Sequence, residues 1–291
     1  MEIVKKRRLS EIALGFFLLS HPGPVLLHVI GVTLFTLLAA WPKFVWSTII
    51  LVVAAHTVMQ LSIAFLNDYC DRHLDAVSKR SKPIVRGLVR PHEALIVGLV
   101  MIVLMFVMLL PLNLLALLIS LAYLILLQGY NLGLKTTPLS GVVFALGMPL
   151  IPLYAFAGAG HTLPFLAWLI PIGFLLGVTI NVANSIPDVE DDEANGANTL
   201  AVVLGLKRAF FICQLMIVLA AIMIGVLTLW KIVLGQPWII LSTLMLTFLA
   251  VGGMFLFFGP KKPVRTRKLY FYLVALTCII LTGGWFIGVF V

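Results

Sequence analysis

Apolar residues fill this chain in long blocks, and polar residues appear mainly in the short gaps between them. Nine blocks are long enough to cross a bilayer as helices, at 23–41, 46–66, 93–112, 113–130, 138–158, 164–186, 209–230, 237–259 and 269–291. A helix rises about 1.5 Å per residue, so about 20 apolar residues span the hydrocarbon layer. Inside lipid the backbone must satisfy its own hydrogen bonds, which favours helices for such runs. At Pro111-Leu112-Asn113 two predicted spans meet with almost no loop. The stretch from Leu9 to Leu19 is predicted to lie along the interface as an amphipathic helix. The expected fold class is an all-α membrane protein: nine transmembrane helices bundled around a central cavity, with cytoplasmic helical cap loops. Residues 1–291 are expected to form a single domain.

Composition agrees with the pattern. Hydrophobic residues make up 62% of the 291 residues and charged residues only 11%, with a mean hydropathy of +1.15. Soluble domains average roughly 25% charged residues. With nine spans, every Lys and Arg except Lys43 and Lys231 falls on one side of the membrane, and all 11 acidic residues fall there too. The positive-inside rule makes that side cytoplasmic. The amino terminus is then expected inside and the carboxyl terminus on the opposite side. Basic loops beside spans serve topology and anionic headgroups, so the net charge of +9 requires no nucleic acid. No protein partner is required by the pattern. Lys5, Lys6, Arg7 and Arg8 precede no small-residue cleavage pattern, so no cleaved signal is expected. Cys70, Cys213 and Cys278 are far apart and make neither a metal spacing nor a disulfide framework. His28 and His56 read as satisfied core histidines.

Two acidic clusters stand out because each directly follows an apolar run. The first is Asn67-Asp68-Tyr69-Cys70-Asp71-Arg72-His73-Leu74-Asp75, and the second runs from Asn184 through Pro187, Asp188 and Glu190 to Asp191, Asp192 and Glu193. Carboxylates at membrane depth cost free energy, about 2.5–3.5 kcal/mol at a helix centre and less near the interface. On a helix Asn67, Asp68, Asp71 and Asp75 share one face. Asn181, Asn184, Asp188, Asp191 and Asp192 share a similar stripe, with Glu190 and Glu193 pointing away, unless Pro187 breaks the helix. Like charges on one stripe repel, and a divalent cation between stripes reverses the sign. Mg2+ prefers oxygen ligands and characteristically joins one or two carboxylates to phosphates. Two facing Asp stripes therefore suit Mg2+ and a diphosphate.

Cationic partners on the same side are Arg72, the loop from Lys79 and Arg80 through Lys82 to Arg86, Arg90, and Lys135, five residues after Tyr130. A fixed ammonium near a diphosphate stabilises charge that develops as a bond to it breaks. The loops 72–92 and 193–208, with Gly87 and Gly196, are candidate gates.

Together these motifs resemble the UbiA-type intramembrane prenyltransferase superfamily. The carriers are Asn67, Asp68, Asp71 and Asp75 with Lys82-Pro83-Ile84-Val85-Arg86-Gly87, Tyr130-Asn131-x-x-x-Lys135, and Asp188 with Asp192, followed by Gly196-x-x-Thr199-Leu200 and Val203-Leu204-Gly205. The resemblance covers essentially the whole chain. It leaves the subfamily open: the Pro187-Asp188 step is similar to homogentisate-type members, the Asp71 to Ala76 run to chlorophyll synthases, and the Lys82 to Gly87 element to archaeal lipid-ether enzymes.

The resemblance implies Mg2+-dependent transfer of an isoprenyl group from an allylic polyprenyl diphosphate to a lipophilic acceptor, most often an electron-rich ring. It implies metal binding by Asp68, Asp71, Asp75, Asp188 and Asp192, and diphosphate binding by Asn67, Lys82, Arg86, Lys135 and Asn184. Lys135, Tyr130, Asp71 and Asp188 would carry the catalytic roles, with Tyr130 facing the allylic cation. A cation-coupled secondary transporter is the competing reading, since it too places acidic residues in membrane helices.

Overall fold

The computed structural model describes residues 7–78, 81–161 and 163–290. Lys5, Lys6, Lys79 and Arg80 lie outside them. The described residues are all-α: α1 (Leu9–Leu19), α2 (Pro22–Ala40), α3 (Trp46–Ser78), α4 (Pro91–Leu109), α5 (Leu114–Asn131), α6 (Ser140–Gly158), α7 (Leu169–Ser185), α8 (Val189–Ala194), α9 (Leu200–Leu229), α10 (Pro237–Phe257) and α11 (Val264–Phe290). Among the described residues nine helical segments are long and apolar enough to cross a membrane. The protein is thus a multi-pass membrane bundle, with α1 as the short additional helix. Leu26, Leu27, Ile30 and Leu34 of α2, and Leu241, Met245 and Leu249 of α10, are exposed along single helix faces. Such faces suit contact with acyl chains.

Local chemistry sets the boundaries. Pro22, Pro91 and Pro237 open α2, α4 and α10 at a position where no amide donor is needed. Glu11 and Glu93 each accept the backbone N–H three residues earlier, at 2.8 Å, and so close the first turns of α1 and α4. Asn113 caps α5 by accepting from the Ala116 amide at 2.9 Å. Its Nδ2 also donates to the Ala157 carbonyl at 2.5 Å, which pins the tight predicted hairpin to the end of α6.

Three predicted boundaries move. α3 runs unbroken to Ser78, so the first acidic cluster is entirely helical. α9 begins at Leu200 rather than 209, because Thr199 caps it. It is interrupted at Gly205, whose φ of 70° and ψ of 153° are readily tolerated without a Cβ. Residues 200–208, expected as loop, therefore belong to a kinked helix start. α11 begins at Val264, not 269.

The chain separates into two compact units, Met1–Leu132 with Leu150–Thr162, and Gly133–Pro149 with Leu163–Val291. In the first, α3 packs against α2, α4 and α5. Its core centres on Val52, Ala55, Met59, Met105, Leu109 and Tyr123. A smaller cluster joins Leu19, Phe65, Val89 and Ala94, with Phe16 and Ile84 against it, and clamps α1 and the loop before α4 onto α3. Gly98 permits close α3–α4 contact, since a Cβ there would meet Leu66 Cγ at 2.7 Å. His56 is only partly satisfied: Gln60 bonds its Nε2 at 3.1 Å and donates to the Tyr123 hydroxyl at 3.0 Å, while His56 Nδ1 is buried without a partner. In the second unit α7 packs on α9 and α11, and α10 packs on α9 and α11.

Candidate active site

The first unit carries Asn67, Asp68, Asp71 and Asp75 on the last turns of α3, past its apolar stretch. Asp68 and Asp75 are buried, whereas Asn67 and Asp71 are half-buried. Asn67 donates Nδ2 to Asn131 Oδ1 at 2.9 Å, and Asn131 donates in turn to the Ile63 carbonyl at 3.0 Å. Arg72 folds back on its own helix, donating to the Tyr69 carbonyl at 2.6 Å and lying over the Tyr69 ring. Tyr130, half-buried at the end of α5, precedes the Asn131 that holds Asn67.

Asp68 is not the open carboxylate that its place in the motif suggests. Its Oδ1 accepts from Lys82 Nζ at 2.6 Å and meets His21 Nε2 at 2.9 Å. Its Oδ2 is buried with no hydrogen-bond partner. Lys82 reaches it because residues 82–88 form a compact turn: Arg86 and Leu88 amides bond the Lys82 and Pro83 carbonyls at 3.0 Å, and Gly87 turns the chain at φ 72°. Arg86 is exposed on that turn. Arg7 braces the same loop, bonding the Leu88 carbonyl at 3.0 Å and Glu93 Oε2 at 2.8 Å.

In the second unit Pro187 does break the helix. α7 stops at Ser185, Ile186–Asp188 form a 3-10 turn, and α8 restarts at Val189. The single stripe expected from Asn181 to Asp192 is not kept. Asn181 is buried and receives Ser140 Oγ at 3.3 Å, whereas Asn184, Asp188 and Asp191 are exposed and Asp192 is half-buried. Glu190 pairs with Arg267 at 2.6 Å. Lys135 sits in a 3-10 turn, Leu134–Thr136, directly after Gly133. The Thr136 carbonyl accepts the Asn198 amide at 2.9 Å, and the Asp192 carbonyl accepts the Ala197 amide at 2.9 Å. The Lys135 turn is thereby bonded to the loop that follows the second motif.

Among the described residues no three His, Cys, Asp or Glu side chains gather closely enough to hold a metal by themselves. The donors on offer are carboxylate and amide oxygens. That fits Mg2+, which takes few protein ligands and leaves the remaining positions to water and phosphate oxygens. Sequence reasoning gave no site contact to His21, Asn131 or Arg7. Their contacts cross 47, 64 and 86 residues, a separation that carries no periodic signal.

The fold and the two carboxylate motifs define a polytopic all-α membrane protein. The chain belongs to the UbiA prenyltransferase family, whose model matches residues 28–279. It is 29% identical over 206 residues to 4-hydroxybenzoate octaprenyltransferase of Janthinobacterium sp. (strain Marseille), covering 68% of this chain and 71% of that protein. It is 29% identical over 160 residues to digeranylgeranylglyceryl phosphate synthase of Natronomonas pharaonis, covering 54% and 57%. Among solved structures it is similar to that of a digeranylgeranylglyceryl phosphate synthase, with a TM-score of 0.78, 19% identity, and 96% and 99% of the two chains covered. A UbiA homolog from Archaeoglobus fulgidus bound to DMAPP and Mg2+ gives a TM-score of 0.72 at 16% identity, with 93% and 98% covered.

Proposed function

We propose that this chain is a Mg2+-dependent membrane prenyltransferase that moves an isoprenyl group from an allylic polyprenyl diphosphate to a lipophilic acceptor, an electron-rich aromatic ring. The observation that carries the reading is the continuation of α3 beyond its apolar stretch to present Asn67, Asp68, Asp71 and Asp75 on one helix end. Family membership supports transfer over cation-coupled transport, whose sites generally lie near the bilayer midplane. The hydroxybenzoate in several relatives' names supports the aromatic acceptor.

Asp71, Asp75, Asp188 and Asp192 are the proposed Mg2+ ligands, with Asn67 and Asn184 as neutral oxygen ligands or orienting groups. Mg2+ held by these residues would supply positive charge that favours departure of the diphosphate. Lys135, Lys82 and Arg86 supply fixed positive charge to the same diphosphate as the allylic C–O bond breaks. The Tyr130 ring face stabilises the allylic cation by about 0.5–2 kcal/mol, and apolar surroundings keep water from quenching it. The acceptor ring attacks the cation and loses a proton to regain aromaticity.

The one-sided basic residues support an amino terminus and both motifs on the cytoplasmic face, with the carboxyl terminus opposite. The test supplies purified protein with Mg2+, radiolabelled allylic diphosphates and extracted lipids. A prenylated lipid is expected; cation flux without any such product overturns the reading.

A further inference from the structure

The inner side of the first motif is built differently from its outer side. Asp68 is 1% exposed, and one of its oxygens is shared by two donors that both come from outside α3. Lys82 arrives on the turn after the helix. His21 arrives on the second of the two residues between α1 and α2, at φ 48° and ψ 62°. A non-glycine residue in this left-handed region costs about 1–2 kcal/mol, so something must hold it there. The hydrophobic cluster of Leu19, Phe65 and Val89 fixes the chain just before His21, and Ile84 joins the same cluster just after Lys82. His21 Nε2 and Lys82 Nζ consequently lie 3.3 Å apart over the same carboxylate oxygen.

The carboxylate is sealed in, and its second oxygen is buried without a partner. The Lys82 and His21 side chains keep 24% and 30% of their surface accessible. A cation approaching Asp68 Oδ1 would have to displace both donors already on it. An ammonium carries three N–H donors, so its bond to Asp68 does not exhaust its capacity to hold an anion.

We propose that His21, Lys82 and Asp68 form a preassembled clip for a diphosphate oxygen. His21 and Lys82 are its binding groups, and Asp68 is a positioning residue that fixes both donors and coordinates no metal. The clip deepens the transferase reading and rests on it for the identity of the anion. It adds His21 to the site and removes Asp68 from the expected metal ligands. The unpartnered Oδ2 is left to accept an O–H donor, such as a water that enters with the anion.

The test titrates inorganic pyrophosphate into the full chain in lipid nanodiscs by calorimetry at several fixed Mg2+ concentrations, beside thermal melting. His21→Ala is expected to weaken pyrophosphate binding about tenfold, consistent with one charge-assisted hydrogen bond, with an unchanged Mg2+ dependence. His21→Arg should melt like the wild type and recover most of the affinity. Asp68→Asn should weaken pyrophosphate while leaving the Mg2+ dependence in place. Wild-type affinity in His21→Ala, or a folded His21→Arg with no recovery, overturns the clip alone. So does an Asp68→Asn variant whose only defect is a higher Mg2+ requirement. A wild-type protein that takes up no pyrophosphate at any Mg2+ concentration overturns both the transferase reading and the clip.

Discussion

The side-chain amide of Asn67 is oriented by Asn131. The Ile63 carbonyl can only accept, so the Asn131 atom 3.0 Å from it is the donor Nδ2. Asn131 therefore turns Oδ1 toward Asn67, and Asn67 must answer with Nδ2 at 2.9 Å. The Asn67 carbonyl oxygen takes no part in that bond. A residue with no charge and no place among the expected ligands thus orients the Asn67 amide.

Asn131→Ala should lower turnover about 10- to 100-fold, the range seen when groups orienting a metal ligand are lost. It should also cost about 1–3 kcal/mol of stability by leaving a half-buried amide unpaired. Initial rates with and without excess Mg2+, measured beside a melting curve, check this. A variant that loses stability but keeps its rate would show that the bond serves folding alone.

Glu190 and Arg267 provide the contrasting case of an acidic residue inside a motif that serves structure. Arg267 is 8% exposed and donates to Glu190 at 2.6 and 2.7 Å and to the Pro260 carbonyl at 3.1 Å. Glu190→Gln should cost about 1 kcal/mol, a modest figure because the glutamate side chain is 56% exposed. The Mg2+ concentration for half-maximal rate should stay at the wild-type value. A raised Mg2+ requirement would place Glu190 among the metal ligands after all.

Gly98 lets α4 approach α3 just behind the first motif. A Cβ there would stand 2.7 Å from Leu66 Cγ. Gly98→Ala should destabilise by about 1–3 kcal/mol through overpacking. Adding Leu66→Val, which shortens the opposing side chain, should recover part of that loss. Melting of the single and double variants decides it, and simple additivity of two losses would contradict the packing argument.

Much of the fold was legible because hydropathy reports directly on burial in lipid. The apolar runs located nine spans, and the i, i+3, i+4 spacing correctly put Asn67, Asp68, Asp71 and Asp75 on one helix. Pro187 signalled its own break, and the tight turn at Asn113 was visible as an absence of loop. The start of α9 was hidden because Gly205 looks like loop in sequence, whereas it interrupts a helix that Thr199 has already capped. The electrostatics around Asp68 were less legible still. Helical spacing says which residues share a face, but only tertiary packing decides that His21 and Lys82 reach the same oxygen. The expected metal ligands thus include one carboxylate already engaged by two donors.

The central claim, that Asp71 and Asp188 hold the Mg2+ needed for prenyl transfer, is tested most directly by product formation in lipid nanodiscs with a radiolabelled allylic diphosphate. Wild-type protein should form prenylated lipid with Mg2+, lose that activity on chelation and regain it when Mg2+ returns. Asp71→Asn and Asp188→Asn should each fall by several orders of magnitude while melting as the wild type does. Near-normal product from both variants, or undiminished product after chelation, would contradict the account.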